Sequence, residues 1–195
     1  MAQRLALSGY MGSGKTVVAR VLTQKGFAVI DADREAKRFM EADEVLKATF
    51  ADVYGPLSVE GGIIRYDRIG ATVFATAANL IRHNDLVRPC VTLGISSLLR
   101  DTTGDVVVDG ALIPFWNMDH AFDRRLWIDA SSATRIDRVT RRGLELHTSR
   151  SRVAMQEGLF SLPQNGWIHL VNDGSLDALE RVVEQFLSET SYPVT

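Results

Sequence analysis

The segment Gly9-Tyr10-Met11-Gly12-Ser13-Gly14-Lys15-Thr16 combines closely spaced glycines with a lysine and a hydroxyl residue, the pattern of a loop that holds phosphate. Glycines let backbone N–H groups converge on phosphate oxygens, Lys15 supplies a point charge near the β- and γ-phosphates, and Thr16 offers a hydroxyl to Mg²⁺. A chance lysine in a glycine-rich turn is the plain alternative. Against it, the loop follows the apolar run Leu5-Ala6-Leu7 and precedes the helical pattern Val17-Val18-Ala19-Arg20-Val21-Leu22, which is the strand-loop-helix setting this chemistry needs. A second candidate lies at Asp31-Ala32-Asp33, where two carboxylates follow an apolar run directly. Beyond the carboxyl end of a parallel strand, such a group can take a proton from an attacking hydroxyl or order a metal's water shell. Asp33 is the candidate base, and its alternative role is to cap the helix containing Arg34-Glu35-Ala36-Lys37. Asp109, after Val106-Val107-Val108, stands where an acid reaches a metal through water, or where a turn residue precedes Gly110. Arg135, Arg138, Arg141 and Arg142 lead on to Arg150 and Arg152. Their planar forks suit phosphate, although an arginine run alone reads as an exposed basic helix face.

The elements that position these groups follow from apolar patterning. Short apolar runs alternate with amphipathic segments, which favours a parallel sheet covered by helices. The expected buried strands are Leu5-Ala6-Leu7-Ser8, Phe27-Ala28-Val29-Ile30, Val106-Val107-Val108, Leu126-Trp127-Ile128 and Ile168-His169-Leu170-Val171. Leu176, Leu179, Val182, Val183, Phe186 and Leu187 recur at helical spacing after Gly174-Ser175 and predict a final helix packed on the sheet. Between the second and third strands, Ile69, Val73, Ala77, Leu80 and Ile81 form another stripe, in an expected helical insertion. Phe115 and Trp116 read first as core aromatics and second as pocket lining.

A chain of 195 residues with 46% hydrophobic and 24% charged residues is ordinary for one globular domain. Its net charge of −2 shows no basic excess of the kind that follows a nucleic-acid backbone, so nucleic acid is not an expected partner. Cys90 is the sole cysteine, which excludes an intrachain disulfide. His83, His120, His147 and His169 lack metal-ligand spacing. No leader pattern or membrane-length apolar run is visible, and a cytoplasmic protein without a membrane partner is expected. Oligomeric state is not legible.

The segment Gly26-Phe27-Ala28-Val29-Ile30-Asp31-Ala32-Asp33, placed after the phosphate loop and its helix, resembles the opening of the dephospho-coenzyme A kinase family. The resemblance continues through Phe50 to Gly55, Gly62 to Phe74, Arg138 to Gln156 and Val171-Asn172-Asp173-Gly174-Ser175. It implies a three-layer α/β P-loop kinase fold in one domain over 1–195, with a parallel five-stranded sheet, an acceptor-binding helical insertion at about 34–101 and an arginine-bearing lid at about 138–158. The implied reaction transfers the γ-phosphoryl group of ATP, with Mg²⁺, to the ribose 3'-hydroxyl of dephospho-coenzyme A. Lys15, Asp33 and Arg142 are the implied catalytic set. The ATP-binding set is Gly9, Met11, Gly12, Ser13, Gly14, Lys15, Thr16, Val17, Arg138 and Arg142. On the acceptor side stand Asp33, Arg65, Arg88 and Ala111; Thr16 is the Mg²⁺ ligand and Asp109 reaches the metal through water.

Departures from the family pattern fall on the acceptor side. Arg88-Pro89 stands where the family has His-Pro, Ala111-Leu112-Ile113-Pro114-Phe115 lacks an expected carboxylate, and Arg65-Tyr66 replaces an Asp-Arg pair, with Asp67-Arg68 immediately after it. Arg88 either attracts an acceptor phosphate or is a solvated charge beside a helix-breaking proline. Two alternatives stay open. The loop Gly9–Thr16 is also similar to that of shikimate kinases, but no Phe-Arg-x-x-Glu follows the Phe50 region and only Gly61-Gly62 stands in place of a triple-glycine turn. A nucleotide-binding switch or degenerate kinase is the other.

Overall fold

The computed structural model describes residues 2–159, 163 and 166–189. The chain runs β1 (Arg4–Gly9), α1 (Lys15–Gln24), β2 (Ala28–Asp31), α2 (Ala32–Ala42), α3 (Glu44–Tyr54), β3 (Val59–Glu60), β4 (Ile63–Ile64), α4 (Tyr66–Val73) and α5 (Ala77–Asp101). It continues with β5 (Val106–Asp109), β6 (Arg124–Asp129), α6 (Ser132–Arg141), α7 (Leu146–Leu159), β7 (Trp167–Val171) and α8 (Leu176–Ser188). These elements fall into two compact units. One comprises the chain up to Asp31 and from Thr102 onward, and the other is Ala32–Asp101.

In the first unit, five parallel strands are ordered β2-β5-β1-β6-β7, so the strand that feeds the phosphate loop is central. Being covered on both faces, β1 and β5 can be continuous apolar runs, and Leu5, Ala6, Leu7, Val106, Val107 and Val108 are all buried. Helices α1 and α8 join this core through Val18, Leu22, Leu179, Val183 and Phe186. Burying each of the larger of these side chains contributes about 1.5–3 kcal/mol. A charge at fully buried Val183 would separate α8 from the sheet. All five sequence-read strands are present. Phe27 lies outside β2, because the α1 exit at Gly26 turns its N–H back onto the Leu22 carbonyl at 3.0 Å. The Ser175 hydroxyl accepts from the Ala178 N–H at 3.3 Å and starts α8. Val182 departs from the expected stripe: it is 41% exposed, because Leu179, Val183 and Phe186 already define the buried face. The Leu176 side chain lies outside the described residues.

The second unit is helical except for the antiparallel β3–β4 pair, in which Val59 faces Ile64 and Glu60 faces Ile63. Each strand holds two residues, too few for alternation to reveal it. The stripe from Ile69 to Ile81 is not one helix. α4 stops at Val73, and α5 starts afresh after Thr76, whose hydroxyl accepts from the Asn79 N–H at 3.1 Å. Ile69 and Val73 are buried whereas Ile81 is 55% exposed, and α5 instead buries Val87, Val91, Ile95 and Leu99. Pro89 does not break α5, contrary to its reading as a helix breaker. Buried Val87 and Val91, one on either side of it, hold the helix together, which offsets the lost N–H bond. Among the described residues, no helix is long and apolar enough to cross a membrane.

Candidate active site

β1 ends at Gly9, and α1 begins at Lys15, so the loop leaves from the carboxyl edge of the central strand. Gly14 supplies the turn into α1 at φ 108°, and a Cβ there would overlap the Asn172 side-chain amide. Gly12, at φ 79°, lies so near α6 that a Cβ would stand 2.8 Å from the Arg135 carbonyl. Only glycine fits at either position. The loop is therefore shaped by α6 and by the turn after β7 as much as by its own residues.

Side chains grip the loop's backbone from outside. Asn172, buried at the end of β7, donates to the Ser13 carbonyl at 2.7 Å. Arg138 donates to the carbonyls of Gly12 and Ser13, each at 3.3 Å, and Gln156 of α7 accepts from the Met11 N–H at 2.8 Å. The Tyr10 ring packs edge-on to Trp127, centroids 5.0 Å apart, with the Arg135 guanidinium 4.7 Å from its centroid. Burial, then the Asp129 charge, raises the Tyr10 phenol pKa, so it stays a neutral packing group. Arg135 is itself 2% exposed, donates to the Ala130 carbonyl at 2.9 Å and pairs with Glu157. The start of α6 is held by the Ser131 hydroxyl, which accepts from the Thr134 N–H, and by Asp173, which accepts from the Ser131 N–H at 2.9 Å. That backbone bond, followed by the Thr134 hydroxyl, lowers the Asp173 pKa.

The arginine cluster thus divides. Arg135 is a buried strut, Arg138 touches the loop, Arg141 pairs with Asp137 at 3.0 Å on the surface, and Arg142 stands exposed where α6 ends. Arg150 and Arg152 are exposed on α7. At the sheet edge Asp31 and Asp109 are register partners on adjacent strands, and Leu7 of β1 is the partner of Asp109 on its other side. Ala111 follows that edge, its carbonyl accepting from the Ser8 hydroxyl at 3.3 Å. Trp116 is buried, in keeping with the core reading of that aromatic.

In the second unit, α2 begins at Ala32, so Asp33 lies inside the first turn, at the positive end of the helix dipole. Arg65 precedes α4 and pairs with Glu60 at 3.3 Å and Asp67 at 3.6 Å, while Arg68 reaches the same Glu60 at 3.4 Å. Arg88 pairs with Asp85 one turn earlier on α5. Burial, then Glu41, raises the pKa of Tyr66, the residue beside Arg65.

The first unit fits a nucleoside triphosphate with Mg²⁺. The Val17 and Val18 N–H groups donate to the Gly14 carbonyl, those of Lys15 and Thr16 precede the intrahelical ladder, and the buried Ser13 hydroxyl has no hydrogen-bond partner among the described residues. Thr16 lies in that first turn, and Asp31 and Asp109 share the edge. Among the described residues, no three His, Cys, Asp or Glu side chains converge. The local sequence around Asn172, Gln156 and Tyr10 carries no signal of these contacts; the first two fall within segments that resemble the family.

A family model described as dephospho-CoA kinase matches residues 4–177. The dephospho-CoA kinase of Deinococcus radiodurans is 32% identical over 96% of this chain and 92% of its own length. Among solved structures, TT1252 from Thermus thermophilus superposes with a TM-score of 0.70 at 27% identity, covering 98% of this chain and 99% of that one. The Campylobacter jejuni dephospho-CoA kinase shares the fold, with a TM-score of 0.56 at 16% identity over 97% of each chain. A match that runs from the first strand into the final helix, over a phosphate loop whose glycines are enforced by packing, places this chain in the dephospho-CoA kinase family.

Proposed function

We propose that this protein transfers the γ-phosphoryl group of ATP to the ribose 3'-hydroxyl of dephospho-coenzyme A, giving coenzyme A and ADP. The observation that carries the reading is the glycine-lined loop at the head of α1, in a chain that belongs to this family. Lys15 and the loop amides hold the β- and γ-phosphates, and Arg138 and Arg142 balance the transferring charge. Mg²⁺, when bound, neutralises phosphate charge, with Thr16 as its protein ligand and Asp109 acting through water. Asp33 accepts the proton of the attacking hydroxyl. Arg65, Arg88 and Ala111 belong to the acceptor side, where this chain departs from the family pattern. Residues 138–158 act as a lid, 34–101 as the acceptor insertion of a single kinase domain, and the protein works in the cytoplasm on small molecules, apart from nucleic acid and membrane.

The test is ADP release from Mg-ATP with dephospho-coenzyme A or shikimate, with product mass determined. Coenzyme A forms, and Asp33→Asn lowers turnover about 10²–10⁴-fold while ATP affinity holds. Phosphorylated shikimate, or ATP binding with neither acceptor consumed, refutes the assignment. A fully active Asp33→Asn protein removes only the base.

A further inference from the structure

One peptide group of the phosphate loop is held at both ends. The Tyr10 carbonyl accepts from the Ser13 N–H at 3.2 Å, which closes the loop's turn, and the Met11 N–H of the same peptide donates to Gln156 Oε1 at 2.8 Å. The residue after Gln156 acts on the same place by another route. Glu157 pairs with buried Arg135, whose guanidinium lies 4.7 Å from the centroid of the Tyr10 ring, and that ring is braced from another side by Trp127. Two consecutive residues of α7 therefore fix the Tyr10–Met11 step, 145 residues away in sequence. A carboxamide is the suitable group: it accepts from an amide without placing negative charge beside a polyphosphate.

We propose that Gln156 is a positioning residue for nucleotide binding, which orders the phosphate loop before the nucleotide arrives. Its carboxamide spares the ligand the cost of fixing the Tyr10–Met11 peptide, so the loop's turn is set before phosphate binds. It contacts the loop's backbone only. The proposal rests on the nucleotide-binding part of the proposed function and is independent of the acceptor.

Two variants test it. Gln156→Met keeps length and removes the acceptor, whereas Gln156→Glu keeps an acceptor. Hydrogen exchange at the Met11 amide without nucleotide, ADP affinity by calorimetry, and KM for ATP and for acceptor are measured on each full-length protein. In Gln156→Met, Met11 exchange accelerates and both ADP Kd and KM for ATP rise about five- to tenfold, the scale of one lost hydrogen bond, with KM for acceptor unchanged. Gln156→Glu restores slow Met11 exchange. A purely structural residue would instead lower thermal stability and the active fraction, hence kcat, and leave ADP Kd at the wild-type value. That result overturns the proposal, as does tighter ADP binding in Gln156→Met, which would make Gln156 a competitor of phosphate. A wild-type protein that binds no ADP refutes the phosphate-loop reading itself, and this proposal with it.

Discussion

Substituting Gly14 by alanine tests whether the loop's shape is imposed by its surroundings. Two costs can be worked from the structure. A non-glycine residue at φ 108° pays about 1–2 kcal/mol for its left-handed backbone. The new methyl also overlaps the Asn172 amide, which must move and give up its 2.7 Å bond to the Ser13 carbonyl. Leaving the buried Asn172 amide without that acceptor costs a further 1–3 kcal/mol or so. The sum, about 2–5 kcal/mol, corresponds to a fall in Tm of about 4–20 °C for a chain of this size. Gly26→Ala is the control: its φ is 95°, in the same unit, yet nothing lies within 4 Å of its added Cβ. It should lose only the backbone cost, about 2–8 °C. Thermal unfolding is followed with and without ADP. Gly14→Ala should lose more than Gly26→Ala and should also lose the ADP-induced rise in Tm, which Gly26→Ala keeps. Equal losses in the two variants, or an unchanged ADP response in Gly14→Ala, would refute the claim that Asn172 shapes the loop.

Asn172→Leu probes the same contact from the other side: it leaves the Ser13 carbonyl without its buried donor, so stability should fall by about 1–3 kcal/mol in denaturant titration and ADP affinity should fall with it. An intact ADP affinity would reduce Asn172 to a core residue. His83 sets a pH dependence, because burial lowers its pKa below the ordinary 6.5 and its Nδ1 lies 2.9 Å from the Tyr54 hydroxyl. Below pH 6.5 the unfolded chain binds a proton at this site that the folded chain resists, so stability is full above 6.5 and declines as pH falls from there toward the folded pKa. His83→Phe should flatten that decline in unfolding experiments between pH 7 and 5 or so; an unchanged slope would assign it to other groups.

Much of the first unit is legible in the sequence because its signals are local. Each core strand is a short apolar run, and the phosphate loop carries its chemistry in consecutive residues. What the sequence concealed is non-local. Pro89 signals a helix end, yet buried Val87 and Val91 flank it and carry α5 through. The β3–β4 pair is two residues long on each side and leaves no period to read. Asn172 and Gln156 sit in unremarkable local patterns and reach the loop only because the fold closes sequence separations of 159 and 145 residues.

The arginines make the same point in terms of chemistry. Four of them lie between positions 135 and 142, and as residue types all four suit phosphate equally well. The fold gives them unequal supplies of donors. Arg135 gives its Nε to a backbone carbonyl and an Nη to Glu157, Arg138 gives an Nη to two loop carbonyls, and Arg141 pairs with Asp137. Among the described residues, Arg142 makes no such side-chain bond, and it is exposed at the end of its helix. A guanidinium meeting a phosphoryl group in flight must arrive with its donors unspent, whereas one that builds the loop must already have spent them. By that criterion we infer that Arg135 belongs to the making of the site and Arg142 to its use, with Arg138 between them, bracing the loop through Nη1 and serving the proposed transfer beside Arg142, a division of labour that spacing alone does not reveal.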